Sequence, residues 1–158
     1  MRVIVAAFAA MLLGAGAAQA EGSAPLPPIA NAATLKECGA CHMAFQPQML
    51  PMRSWKAIMA HLASHFGEDA SLPDATRSKI EAYLVAHAGD APGITSCRRY
   101  VHGIPASAVP LRITDTRFWH GAHGEISAAE FTSTKVKSKA NCVACHRGAQ
   151  QGRYGEEE

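Results

Sequence analysis

Cys38-Gly39-Ala40-Cys41-His42 and, far downstream, Cys142-Val143-Ala144-Cys145-His146 decide how this chain is read. Each is a C-x-x-C pair followed at once by histidine. Two thiols at that spacing can add across the two vinyl groups on one edge of a porphyrin. The next residue then lies under the ring, where its imidazole can bind iron. From the chain's own Cys and His frequencies, one such motif is expected by chance on the order of 0.01 times, so two of them point to chemistry. The expectation is two covalently bound haem c groups, held by Cys38 and Cys41 and by Cys142 and Cys145. His42 and His146 are then one iron ligand each.

Two other readings compete. A pair of C-x-x-C motifs can bind one zinc ion, but here they are widely separated and zinc gives no reason for histidine to follow both. A thioredoxin-like redox motif needs a βαβ setting, which the sequence lacks. The chain has five cysteines. The fifth, Cys97, stands alone. It reads as a small packed residue, or, from the odd count, as a redox or intermolecular thiol.

Outward from the motifs, the N-terminus reads as an export signal. Arg2 is followed by an apolar run, Val3 to Ala18, and Ala18-Gln19-Ala20 is an A-x-A cleavage site. Residues 1–20 are therefore expected to be a signal peptide cleaved after Ala20, and the protein to be periplasmic. The mature chain of roughly 138 residues has room for one domain or two small ones. Its core is modest unless large apolar prosthetic groups add to it. No later stretch is long enough to span a bilayer, and no nucleic-acid partner is expected. At 48% hydrophobic and 18% charged residues, the composition is that of a globular protein. Charge is near balance at +2 overall, but bases lead in the second half, with Arg98, Arg99, Arg112, Arg117, Lys135, Lys137, Lys139, Arg147 and Arg153. These could steer an acidic redox partner or neutralise haem propionates. Glu156-Glu157-Glu158 is an acidic tail, expected to fray.

The fold is expected to be mainly α: small, helical and haem-binding, with long loops. Thr34 to His42 can form a helix capped by Thr34, with Glu37 completing a capping box. Phe45 to Met52 contains Pro47 and Pro51 and reads as a loop. Ser54 can cap a second helix, with Trp55, Ile58, Met59, Leu62 and His65 at helical spacing and Gly67 at its end. Asp74 can cap a third, with Ile80, Tyr83, Leu84 and His87 as its stripe and Gly89 as its stop. Gly89 to Pro110, with several glycines and prolines, is the linker candidate. Asp115 or Thr116 can cap a helix through Trp119 and His123. Ser127 with Glu130 resembles a capping box, and Ser138 to His146 can form a last helix ending at Gly148. The organisation is thus read as residues 21–90, a first haem region, and 91–158, a second haem region with its linker.

The sixth iron ligands are less direct. Beyond His42 and His146, the chain offers His61, His65, His87, His102, His120 and His123. Every mature methionine, Met43, Met49, Met52 and Met59, lies in the first half. The first iron can draw on His61 or His65, with Met49 or Met52 as rivals. His61 and His65 would share a helix face, and His65 precedes Phe66-Gly67, where a loop can carry the ring over iron. For the second iron, His120 and His123 are close to even on spacing. His123 is preferred, because it precedes Gly124 and lies near Trp119, an apolar wall. His87 and His102 read as ordinary histidines.

Glu37 to His42, a following loop, and Ile80, Tyr83 and Leu84 on a late helix resemble class I cytochrome c. In that family a ligand-bearing loop precedes the last helix, and His65 stands at that place. More of the chain resembles the soluble dihaem cytochrome c family. The resemblance rests on both C-x-x-C-H motifs, Leu50-Pro51, Ser54-Trp55, Ile58-Met59, His65-Phe66-Gly67-Glu68-Asp69-Ala70, Leu111-Arg112-Ile113-Thr114 and His123-Gly124-Glu125-Ile126. It implies bis-histidine iron at both sites, with His65 and His123 as the distal ligands. It also implies electron transfer rather than enzymatic turnover. A small oxygen-binding monohaem cytochrome is the implied acceptor, and a membrane b-type cytochrome the possible donor. The alternative is a dihaem, peroxidase-like oxidoreductase, which needs one displaceable axial ligand.

Overall fold

The structure is a computed structural model and describes residues 24–155. The expected signal peptide, 1–20, and the acidic tail, 156–158, lie outside the described residues. Among the described residues there are five short α-helices and no β-strands: α1 (Ala32–Cys38), α2 (Met52–Ala60), α3 (Asp74–Ala86), α4 (Arg117–His123) and α5 (Ala128–Thr132). Single 3-10 turns punctuate the loops, and no helix is long and apolar enough to cross a membrane. The fold is mainly α, as the residue pattern indicated.

The helix starts follow local chemistry, and three differ from expectation. α3 takes Pro73 as its N-cap, and Asp74, expected to cap it, is its first helical residue and caps nothing. α1 is capped by Asn31, whose side chain accepts from the Thr34 amide. Thr34 is instead buried and gives its hydroxyl to the same Asn31 oxygen. α2 starts at Met52, and its first amide donates to Asp90 Oδ1 at 2.7 Å. A residue from beyond α3 thus does the capping expected of Ser54, which is fully buried. α2 also stops at Ala60, well before Gly67. α3 opens on Asp74 after Pro73, with two ion pairs along its surface, Asp74–Arg77 and Arg77–Glu81. Thr116 and Ser127 cap α4 and α5, accepting from the amides of Trp119 and Glu130. The last helix expected, 138–146, is only a turn, Cys142–Ala144. Lys137 at φ 68° breaks the helical path before it, and Asn141 folds its side-chain amide back onto the Val136 carbonyl.

The core is three small clusters instead of one. Leu50, Trp55, Met59, Ile80, Leu84, Ala88 and Ala91 fill the space between α2 and α3. Leu26, Met49, Cys97 and Tyr100 form a second cluster, and Trp119, Phe131 and Val136 a third. Ile113 packs against all three. The segment 89–110 is no loose tether. Ala91, Cys97 and Tyr100 are buried, and Arg53 reaches from α2 to the carbonyls of Ala108 (2.6 Å) and Pro105 (2.9 Å). The two ends of the described segment are joined as well, Leu26 N–H donating to the Gly152 carbonyl at 2.9 Å. Such cross-connections add to the three small apolar clusters.

Candidate haem sites

Each motif presents its cysteines alike: Cys38 and Cys142 are half-buried, whereas Cys41 and Cys145 are exposed. Burial, and then the charge of Glu37, raises the Cys38 thiol pKa. Burial pushes Cys142 up to about 11. Cys97 is buried in the second cluster and belongs to neither motif. Among the described residues no three His, Cys, Asp or Glu side chains converge as a metal cage.

Each motif histidine is faced by one other imidazole. His42 and His65 have ring centroids 6.2 Å apart with planes at 27°. His123 and His146 stand 6.0 Å apart with planes at 90°. Two metal–nitrogen bonds of about 2.0 Å each, extended to the ring centres, span roughly 6 Å. The separation of both pairs therefore matches that span. His61 and His120 make no ring contact with either motif histidine among the described residues. His61 caps the end of α2, with its Nδ1 against the Ala57 carbonyl. His120 lies edge-on to Trp119. The methionine rivals are taken by packing, Met49 in the second cluster and Met52 against the first. His87 lies against Tyr83 at 4.4 Å and extends the α3 stripe.

The backbone prepares these imidazoles for ligation. His42 Nδ1 lies 2.7 Å from the Met43 carbonyl, His123 Nδ1 2.9 Å from that of Trp119, and His146 Nδ1 3.4 Å from that of Gly155. A proton held on Nδ1 leaves the Nε2 lone pair free for a metal. Burial, and secondarily the neighbouring His42, lower the His65 pKa, which favours the neutral ring. The two distal candidates are carried differently. His65 opens a two-residue turn closed by reciprocal backbone hydrogen bonds with Glu68. Phe66 and Gly67 at its tip have φ of 55° and 104°. His123 is the last residue of α4 and stacks on Trp119 at 4.6 Å and 14°.

The surroundings suit an apolar macrocycle. Leu35, Phe66, Ile126 and Val143 are large apolar side chains left exposed beside the motifs. Leu35 lines a cavity of about 310 Å³ with Cys41, His42 and Met43, and Phe66 lies edge-on to His65. Val143 is inside the second motif, and Ile126 hydrogen-bonds through its backbone to His123. Gln150, just past the second motif, lines the cavity of the first. A larger cavity, about 410 Å³, lies on the α2–α3 surface and is lined by Lys56, Arg77 and Glu81 with no motif residue.

Residue patterns gave no sign of a polar pair between the halves. Gln46 is fully buried, its Nε2 donates to the Ala149 carbonyl at 2.9 Å, and its Oε1 accepts from the Tyr154 hydroxyl. Burial, with Cys142 and Tyr100 adding, raises the Tyr154 pKa, so the hydroxyl stays a donor. The two residues are 108 positions apart, beyond any local signal.

Comparison with known proteins agrees with this geometry. Residues 34–154 match the family described as dihaem cytochrome c. The solved diheme cytochrome c from Rhodobacter sphaeroides is 43% identical, with a TM-score of 0.73, covering 82% of this chain and 99% of that one. The diheme cytochrome c of Shewanella baltica is 36% identical, with a TM-score of 0.63, covering 77% of this chain and 85% of that one. No match was found among curated proteins. Two C-x-x-C-H motifs, a mainly helical fold and these similarities lead to one conclusion: the chain belongs to the dihaem cytochrome c family and carries two covalently bound c-type haems.

Proposed function

We propose that this protein is an exported electron carrier whose two irons are each held by two histidines. The observation that carries the proposal is that each motif histidine has one other imidazole opposite it, at the span a shared iron requires. Cys38 and Cys41 attach the first haem, and His42 and His65 are its ligands. Cys142 and Cys145 attach the second, with His146 and His123 as ligands. A bound haem iron takes up and releases one electron. Two fixed imidazoles let that change occur with little movement, and the lack of a methionine ligand keeps the potential low for a cytochrome c. With both axial positions filled, no position is left for a substrate, which sets electron transfer above the peroxidase-like alternative.

The wider setting is part of the same reading. The first haem region spans 21–90 and the second 91–158. The A-x-A site after an apolar run supports release into the periplasm. Family membership supports a small oxygen-binding monohaem cytochrome as acceptor and a membrane b-type cytochrome as donor.

Absorption spectra of both redox states, followed by carbon monoxide, test the proposal. Low-spin, nitrogen-ligated iron at both sites is expected, with no methionine charge-transfer band and no prompt carbon monoxide binding. A high-spin fraction in the native protein, or turnover of peroxide, would overturn it in favour of an enzyme.

A further inference from the structure

The strongest unexplained feature is the buried Gln46–Tyr154 pair. Its two ends belong to the two motifs. Gln46 follows His42 by four residues, and the intervening Phe45 stacks on the His42 ring at 5.0 Å. Tyr154 lies edge-on to the His146 ring at 5.7 Å, and the next residue, Gly155, presents its carbonyl to His146 Nδ1 at 3.4 Å. The amide of Gln46 also grips the backbone just past the second motif, donating to Ala149 O and, at 3.4 Å, to Gln150 O. Ala149 in turn donates its N–H to the His146 carbonyl at 2.9 Å. One side chain from the first half therefore fixes both the backbone after His146 and the segment that returns to its imidazole.

We propose that Tyr154 is a positioning residue for the second haem: anchored on Gln46, it holds the Gly155 carbonyl against His146 and so helps keep that haem's potential low. A carbonyl that accepts from Nδ1–H makes the imidazole a stronger electron donor to the metal. A more electron-rich ligand favours the oxidised iron, so the potential falls. Loosening the carbonyl reverses this and raises the potential. The first haem has its own acceptor, the Met43 carbonyl, next to His42 in sequence. It does not depend on Tyr154 in this way. The inference rests on the ligand assignment of His146 proposed above.

The test uses the mature dihaem protein and a redox titration that resolves both potentials. Tyr154→Phe keeps the ring against His146 and removes only the hydroxyl. The expected result is an upward shift of the second haem's potential, with the first unchanged and both irons still low-spin. Gln46→Leu approaches the pair from the other half and must shift the same haem in the same direction. The double variant should shift it no further than the larger single change, because Gln46→Leu already breaks the link that Tyr154→Phe removes. Unaltered potentials in a folded Tyr154→Phe protein overturn the proposal, even if its melting temperature falls. So does an equal shift of both haems, or a shift of the first haem alone in Gln46→Leu. Failure of the ligand assignment itself would look different, because the unsubstituted protein would already show a high-spin second haem.

Discussion

At the first motif the two imidazole planes lie 27° apart, and at the second they lie 90° apart, at nearly equal separations of 6.2 and 6.0 Å. Two cysteines and two histidines at each site are thus arranged in two different ways. The supports differ as well. His65 rides on a two-residue turn, with Phe66 in the left-handed region that costs a non-glycine residue roughly 1–2 kcal/mol. His123 ends a capped helix and stacks on Trp119. The turn holds the His65 backbone through its paired hydrogen bonds with Glu68. The helix end fixes the ring by its Nδ1 contact to the Trp119 carbonyl one turn back.

The severest way to break the comparison is to remove the two proposed distal ligands. His65→Ala should open the first haem and His123→Ala the second. Each variant should show high-spin iron, bind carbon monoxide when reduced and move the potential of the affected haem. His61→Ala and His120→Ala should leave both irons six-coordinate. If His120→Ala alone opened the second haem while His123→Ala left its spectrum untouched, the assignment there would be wrong. The double variants His61→Ala/His65→Ala and His120→Ala/His123→Ala exclude a neighbour swapping in.

Sharpening comes from electron paramagnetic resonance of the oxidised protein. Near-parallel imidazoles donate into one iron d orbital and split it from its partner. Perpendicular imidazoles donate into both and leave them nearly degenerate, which increases the anisotropy. Two low-spin signals are expected, a rhombic one from the first haem and a highly anisotropic one from the second. His123→Ala should remove the highly anisotropic signal. Two superimposed rhombic signals would show that the ring angles do not differ in solution.

The two C-x-x-C-H motifs, the existence of α3 and the caps at Thr116 and Ser127 were legible because each rests on residues within a few positions of one another, although Pro73 and not Asp74 precedes α3 as its cap. The cap of α1 was misplaced because Thr34 and Glu37 carry a capping-box pattern, whereas Asn31, three residues earlier, supplies the acceptor. The cap of α2 could not be read locally, since Asp90 comes from beyond α3. Spacing left His61 and His65 open by placing both on one helix face. α2 in fact stops at Ala60, and the turn after it swings His65 alone toward His42. The Gln46–Tyr154 pair shows the same limit at greater range.

A smaller effect is expected where the halves meet over the His65 turn. The Arg112 guanidinium lies 4.1 Å from the centroid of the Phe66 ring, which helps hold that residue in its strained conformation. A contact of this kind is worth about 0.5–1 kcal/mol at an exposed site. Arg112→Ala should therefore speed cyanide or imidazole binding at the first haem by about two- to fivefold, leaving the second unaffected. Arg112→Lys should recover part of the difference. Equal acceleration at both haems would mean general loosening instead of a local clamp.

The smallest effects separate the covalent side of a haem from its exchangeable side. Asn31 caps α1, which runs into Cys38, and Thr116 caps α4, which ends on His123, the proposed distal ligand. Losing either cap costs about 1 kcal/mol of stability, so thermal unfolding of Asn31→Ala and Thr116→Ala should be lowered by similar amounts. Their ligand kinetics should diverge. α1 delivers a histidine tethered next to a thioether, and fraying there cannot release His42 far from the iron. α4 holds His123 only by packing and by its backbone contacts. A frayed first turn weakens the hydrogen-bonded ladder that keeps Trp119 under the His123 ring, and Thr116 also loses its hydroxyl bond to the Ile113 carbonyl, which sits between the three clusters. Thr116→Ala should accordingly let external ligand reach the second haem faster, while Asn31→Ala should leave both binding rates as they were. If Asn31→Ala accelerated binding at the first haem as strongly, attachment would not be what protects that side, and the contrast between the two ligand types would fail.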